Sequence, residues 1–378
     1  MMFFRDVVGQ EEVISKLVAD ADKGTVPHAL LFRGREGTGK MQTALAFARY
    51  LLCNHPENGD ACGRCPSCVK MNKLIHPDLH FVFPVINRSK TSGKKTLCDD
   101  EMGRWREFLL THDYFGYDEW LEALDADNKQ AMIYTEESEA VIHKLQLTSS
   151  QGGYKVVILW KPEKMHITCA NKLLKLLEEP APQTVFILVS DNPEQIIDTI
   201  VSRTQSVVFL PVPYEEISRK LQGKGYMLDA RQAIELAHLS DGSWLKALQT
   251  MRIDENSQEF LNIFIQMMRL AYGRKLKELF SLVKEISEKG REWQKNFLTY
   301  SQRLVRENFI NNLNCPELTY MTPEERAFSS KFSPFVNERN IEGISFELSE
   351  CQKHIEQNVN PKMVFMDFFL KLIMLLKQ

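Results

Sequence analysis

Two groups of residues in this chain have the types and spacing to do chemistry. Gly34-Arg-Glu-Gly37-Thr38-Gly39-Lys40 has the Walker A spacing of a phosphate-binding loop. Glycines let backbone N–H groups turn toward phosphate oxygens, the dipole of a following helix adds attraction, and Lys40 can reach the terminal phosphates. The candidate nucleotide contacts are therefore Gly34, Gly37, Thr38, Gly39 and Lys40, against the plainer reading of a glycine-rich turn. Cys53, Cys62, Cys65 and Cys68 form C-x8-C-x2-C-x2-C, and Gly59, Gly63 and Pro66 supply the turns that let four thiolates converge. Four thiolates favour zinc in a closed tetrahedral site with no open position for catalysis. An iron–sulfur cluster and a set of unpaired thiols are the alternatives. Cys98, Cys169, Cys315 and Cys351 lack partners at ligand spacing and read as buried or incidental thiols.

What the phosphate loop lacks is as informative as what it has. The residue after Lys40 should carry a hydroxyl for magnesium, yet it is Met41, whose thioether cannot replace a hard oxygen ligand. Thr43 lies two positions further along the helix and points elsewhere. An acidic pair at the end of a later strand should hold the metal and orient water. Here Val156-Val-Ile-Leu159 runs into Trp160 and Lys161, and Glu163 is offset behind Pro162. Competent ATP hydrolysis is not expected of this chain; binding of ATP or ADP without turnover stays open.

Both groups need elements to position them. Ala29 to Phe32 reads as a buried strand, Gln42 to Leu52 as a helix, and the glycine loop joins them. Further strands are expected at Phe81 to Ile86, Lys155 to Trp160, Val185 to Ser190 and Ser206 to Leu210, with a helix over Ala170 to Leu177. The alternation predicts a parallel α/β sheet. Pro211 and Pro213 mark a boundary before three short helices, Glu215 to Leu221, Ala230 to Ala237 and Ser243 to Met251. Beyond Asn256 the pattern is helical to the end. Residues 1–210, 211–251 and 252–378 are thus expected as a nucleotide-fold domain, a helical lid and an all-α C-terminal domain. Trp105 to Ala131 is irregularly helical and has the character of an insertion.

Composition bounds the partners. The 378 residues are 44% hydrophobic and 26% charged, the balance of a folded globular chain of two or three domains. A net charge of -3 excludes a nonspecific polyanion binder of the histone type, so any nucleic-acid contact is local. Arg88, Lys90, Lys94 and Lys95 form a basic stretch that could touch phosphate, with a solvated loop the plainer reading. Met363 to Leu376 is apolar but broken by Asp367 and Lys371, which speaks for a packing helix and against membrane insertion. Early charges at Arg5, Asp6, Glu11 and Glu12 are unlike a secretory signal, and the expected location is cytoplasmic.

The assembled motifs resemble the AAA+ clamp-loader ATPases of bacterial DNA replication. The resemblance rests on Phe4-Arg-Asp-Val-Val-Gly9-Gln10, the loop ending in Gly39-Lys40, the cysteines after the loop's helix and His76-Pro77-Asp78. Asn171-Lys-Leu-Leu-Lys-Leu-Leu-Glu178-Glu179-Pro180 and Ser202-Arg203-Thr204 continue it in order to about residue 250. It implies an AAA+ parallel-sheet P-loop domain with a structural zinc module, a small helical lid and a helical collar that joins a hetero-oligomeric ring. In that family a Ser-Arg-Cys motif supplies an arginine finger to a neighbour's ATP; here the third residue is Thr204, but Arg203 is kept. Active motor subunits carry an arginine in a Gly-Ser-Leu-Arg-like lid motif, and Gly242-Ser243-Trp244-Leu245-Lys246 has Leu245 in that place. With three elements of turnover lost, the resemblance implies a stator that presents Arg203 to an adjacent motor (gamma/tau) subunit. The implied partners are the motor and delta subunits and, through the complex, a sliding clamp and primer-template DNA. An active motor subunit and a zinc-stabilised DNA-binding module are the competing functions.

Overall fold

Apolar runs alternating with helical ones close into a five-stranded, wholly parallel sheet. The strands are β1 (Ala29–Arg33), β2 (Leu79–Val82), β3 (Lys155–Trp160), β4 (Thr184–Ser190) and β5 (Gln205–Val208), in the order β2-β3-β4-β1-β5. Register is fixed by pairs such as Leu31↔Leu188, Ile158↔Ile187 and Phe81↔Ile158. The computed structural model describes residues 2–88, 95–126, 129–146, 153–223, 226, 228–255, 257–312, 321–357 and 359–377. Lys90, Lys94 and Cys315 lie outside them.

Parallel strands are joined by crossovers, so helices cover the sheet. The helices in this part are α1 (Glu11–Asp22), α2 (Lys40–Leu52), α3 (Pro66–Met71), α4 (Cys98–Thr111), α5 (Tyr117–Ala123), α6 (Thr135–Gln146), α7 (Ile167–Glu178) and α8 (Asp198–Val201). They are followed by α9 (Tyr214–Gln222), α10 (Ala230–Leu239) and α11 (Trp244–Glu255). β3 and β4 are buried along their whole length, which is why they read as unbroken apolar runs, whereas β5 is an exposed edge.

Two expectations change in detail. β2 ends at Val82 and does not run to Ile86, because Pro84 has no N–H to donate to a ladder. Phe83 to Ile86 stay buried, with Val85 bridged to Met132. The stretch from Trp105 resolves into α4 and α5, whose irregular pattern has a packing cause. Trp105 lies against Phe83 (ring centroids 4.4 Å), Trp120 (4.8 Å) and Trp160 at the end of β3 (5.2 Å), so aromatic volume replaces the usual aliphatic stripe. Asp99, Asp100 and Glu101 occupy the first turn of α4, where carboxylates complement the helix dipole. Of the basic stretch, Arg88 is ion-paired with Glu101 at 2.9 Å and Lys95 stands 5.4 Å from the Tyr134 ring.

The chain divides into two compact units, Met1–Leu248 and Gln249–Gln378. The second is all-helical: α12 (Ser257–Tyr272), α13 (Leu276–Glu288), α14 (Arg291–Asn312), α15 (Pro323–Phe332), α16 (Ile341–Glu356) and α17 (Pro361–Leu375). They enclose their own core, including Phe264, Phe297, Leu304, Phe365 and Phe369. The Thr322 hydroxyl and Glu325 carboxylate form a capping box that starts α15. No described helix is long and apolar enough to cross a membrane.

Trp105 is fully buried among these rings. Trp105→Ala is expected to destabilise the first unit by about 3 to 5 kcal/mol, through lost burial and the cavity left behind. Urea unfolding would read it; a cost below about 1 kcal/mol would show that α4 and α5 are not part of the core.

Candidate functional site

The carboxyl ends of β1, β3 and β4 meet at one place, as parallel sheets arrange their binding residues. From β1 comes the glycine loop. A methyl group at Gly34 would stand 2.4 Å from the Phe209 carbonyl oxygen, and Gly37 (φ +78°) adopts a conformation that side-chain-bearing residues avoid. Lys40 opens α2, buried to 3% exposure. Its ammonium donates to the carbonyls of Gly34 (2.8 Å) and Arg35 and pairs with Asp191 at 2.6 Å. The Thr38 hydroxyl donates to Arg35 O at 2.8 Å. Thr43 turns its hydroxyl back onto Gly39 O at 2.8 Å, so it offers no ligand in place of buried Met41.

From β3 comes Lys161, just past the strand, and from β4 comes Asp191. Lys161 is ion-paired to Asp191 and, at 3.3 Å, to Glu36 of the glycine loop. Glu163 accepts from the Ser190 hydroxyl at 2.9 Å and the Asp191 amide at 3.4 Å, and its charge acts on Lys161 as well. The position suited to a metal-holding carboxylate is thus taken by an ammonium, which has Asp191, Glu36 and Glu163 around it. Burial alone would raise the Asp191 pKa, but Lys161 and Lys40 outweigh it and hold the carboxyl below its ordinary value. Burial opposes charge on Lys161 too, yet Asp191 and Glu36 raise its pKa; on Lys40 burial wins and lowers it. Glu36 and Glu163 are both raised by burial.

The four cysteines sit beyond the other end of α2. Their sulfurs all lie within 4.8 Å of one another, with Cys53–Cys62 at 3.5 Å and Cys53–Cys65 and Cys62–Cys68 at 4.0 Å. A tetrahedral ion with metal–sulfur bonds of about 2.3 Å needs sulfur spacings of about 3.8 Å, so the set fits. Amides of Cys62, Cys65 and Cys68 donate to Cys53, Cys62 and Cys65 sulfurs, respectively, at 3.3 to 3.4 Å. Amides of Arg64 and Cys65 pull the Cys62 pKa down to about 6. Arg49 is buried beside the cluster with its Nη1 unbonded, a cation that would offset part of the negative charge four thiolates would bring to a metal. Cys98, Cys169 and Cys351 are buried, and burial raises the pKa of each.

Arg203 lies between α8 and β5, partly exposed. Its guanidinium pairs with Glu178 at the end of α7 (2.5 Å) and donates to Thr199 O (3.0 Å). The glycine-loop residues and the cysteines come together as their spacing predicts. Sequence reasoning did not foresee Asp191, although a carboxylate just after a buried seven-residue strand is a signal of the site end of a sheet.

The sheet order, with a phosphate-type loop on β1 and an all-helical unit later in the chain, defines a P-loop protein of the AAA+ class. The family model described as DNA polymerase III, delta subunit, matches residues 9–213, and the chain belongs to that clamp-loader family. It is 28% identical over 213 residues to DNA polymerase III subunit delta' of Bacillus subtilis, covering 56% of this chain and 51% of that protein. The delta' subunit of Escherichia coli K12 is 30% identical over 198 residues, 52% of this chain and 47% of that one. A gamma/tau subunit of Mycobacterium tuberculosis is 28% identical over 210 residues, 56% of this chain and 29% of that protein. The chain spans about half the length of the curated delta' relatives it matches. A solved gamma subunit-related protein from Thermotoga maritima is similar with 16% identity and a TM-score of 0.41, over 94% of this chain and 97% of that one.

Asp191→Asn leaves two buried ammonium groups facing a neutral amide, and is expected to cost about 3 to 5 kcal/mol. A carboxyl with a lowered native pKa stabilises fully above its unfolded value, about 3.9, and loses that contribution as pH falls through the native value. The wild type should therefore lose stability below that pH by a step absent from Asp191→Asn; superimposable acid unfolding curves would refute it. Elemental analysis is expected to give one equivalent of a thiophilic divalent metal per chain, and Cys68→Ser to lose it. Metal-free wild-type protein of undiminished thermal stability would count against the site.

Proposed function

We propose that this chain is a delta prime-type clamp-loader subunit, a stator that completes a neighbour's ATP site without turning over ATP itself. The observation that carries this reading is Lys161. An ammonium tied to Asp191 and Glu36 stands where a hydrolytic P-loop protein needs metal-binding carboxylates, and Met41 withholds the hydroxyl ligand. Leu245, at the position of the lid arginine, is buried against Gly37.

Arg203 is the residue assigned to the neighbour. Its guanidinium is always charged and carries a planar fork that suits phosphate oxygens, and it is held at a partly exposed turn by Glu178. The cysteine cluster would hold a structural zinc, since four sulfurs leave no open coordination position. Residues 211–251 would serve as the lid and 252–378 as the collar that joins gamma/tau and delta subunits. The sliding clamp and primer-template DNA would be met through that complex.

Purified chain with magnesium and ATP is expected to show no turnover. In the complex reconstituted with its motor partners, Arg203→Ala should lower hydrolysis at the site it serves by at least about tenfold, with folding and metal content unchanged. Full activity of the Arg203→Ala complex would refute the finger; turnover by the chain alone, abolished in Lys40→Ala, would refute the stator.

A further inference from the structure

We infer that the cysteine module does more than close its own loops: with metal bound it anchors residues 3–10, and that segment fastens the linker between β5 and α9. This goes beyond the proposed stator role, and rests on the reading of the four cysteines as a metal site.

The module holds the segment through a carboxylate, a ring and a pair of charges. The carboxylate is Asp60, two residues before Cys62 in the loop that follows Cys53. One of its oxygens accepts from the amides of Ala61 (2.8 Å) and Phe4 (3.3 Å), and the other from the amide of Arg5 (3.4 Å). Asp60 is itself fixed by paired backbone bonds with Glu57, at 2.9 and 3.0 Å. The ring is that of Phe3, packed against Ala61, Cys65 and Cys68. A methyl group at Gly63 (φ +74°) would stand 3.1 Å from it, so the turn that brings Cys62 to Cys65 also makes the seat for Phe3. The charges are the guanidinium groups of Arg5 and Arg49, which both lie over the Phe3 ring, 4.1 and 4.2 Å from its centre. Two like charges on one ring need anions nearby. Cys68, Asp60 and Asp6 stand around Arg49, and four thiolates on a divalent ion keep an excess of negative charge there.

The far end of the segment meets a different part of the chain. The Phe3 amide donates to Asp6 at 3.0 Å, closing a short turn over Phe4–Asp6. The Val8 amide then donates to the Tyr114 hydroxyl at 3.0 Å. Gly9 and Gln10 both have left-handed backbone, which turns the chain sharply into α1. A methyl group at Gly9 would stand 3.1 Å from both Val212 and the Glu216 carboxylate, and the Gln10 side-chain amide donates to Leu210 O at 2.7 Å. Residues 209–213 join β5 to α9, so the segment spans from the ligand loop to that linker. When their sulfurs share one ion, Cys53 at the end of α2, the loop carrying Asp60 and the Gly63 turn are crosslinked. Without that crosslink both seats of the segment rest on weak sulfur contacts, and its local opening becomes easier.

The test compares the full chain loaded with zinc and the same chain stripped with EDTA, by hydrogen exchange over residues 3–10. Stripping is expected to speed exchange there by roughly tenfold or more, with β4 unchanged. The Val212 amide, which donates to Gly242 O at 2.9 Å, should follow. Asp60→Ala is expected to keep its zinc and to exchange residues 3–10 at the fast rate in both states. Equal exchange of the loaded and stripped chains over residues 3–10 would overturn the inference and leave the metal site standing. A chain that takes up no zinc would overturn the metal reading and the inference with it. A Val212 amide that stays protected while residues 3–10 open would overturn the tie to the linker. If stripping also exposes β4, zinc-loaded Asp60→Ala decides: fast exchange confined to the segment and linker upholds the inference, and wild-type protection overturns it.

Discussion

The carboxylate of Asp191, held between the ammonium groups of Lys40 and Lys161, is the contact on which the organisation of this site depends. It joins the ends of three neighbouring parallel strands: Lys40 belongs to the loop after β1, Lys161 follows β3, and Asp191 follows β4. Removing water from four charged groups is expensive, and the arrangement is tolerable because the charges alternate and the spare donors of Lys40 meet loop carbonyls. In a hydrolytic P-loop protein the same space holds phosphate and a divalent cation. Here the ammonium of Lys161, paired with the carboxylates of Asp191 and Glu36, stands beside the loop.

The helix that opens at this network also leads into the cysteine cluster. α2 runs from Lys40 to Leu52, buried along nearly its whole length, with Cys53 as its C-cap and Arg49 one turn earlier. Arg49 reaches from the helix to the ring of Phe3 (4.2 Å) and toward the cysteine sulfurs. One helix therefore has the ion network at its start and the cysteine cluster at its end. Closing the cysteine cluster fixes where α2 stops; the ion network fixes where it starts.

How far the sequence was legible follows from how local each feature is. The glycine loop and cysteine cluster lie in short stretches of chain, and their spacing alone predicts their geometry. The absence of metal-binding carboxylates after Leu159 is equally local, because Trp160 and Lys161 stand in their place. Asp191 is a different case, since nothing in a pattern of single residues says which strand will neighbour β3, and only the parallel crossover brings residue 191 to residue 161. The same holds for Tyr114, separated from Val8 by more than a hundred residues. Its segment read as an insertion without a role because aromatic packing around Trp105 replaced the period that would have announced helices. Pro84 was the readable sign that β2 must stop early, and a strand drawn to Ile86 overlooked it.

The ion network around Asp191 suits the proposed task. A stator must present its arginine at a fixed place while its neighbours move, and an unoccupied P-loop is a poor support because its glycines and its lysine have no partners to order them. The ion network supplies such partners for Lys40 and Glu36. From Lys161 the chain passes through the turn at Pro162–Lys164 into α7, and α7 ends at Glu178, the residue that holds Arg203. Lys161 of the ion network and Glu178, the partner of Arg203, are thus the two ends of one short, continuous piece of structure. That continuity does not transmit a signal; it sets a position. In the proposed role, such a subunit would offer its neighbour one fixed geometry, as a static element of a ring requires.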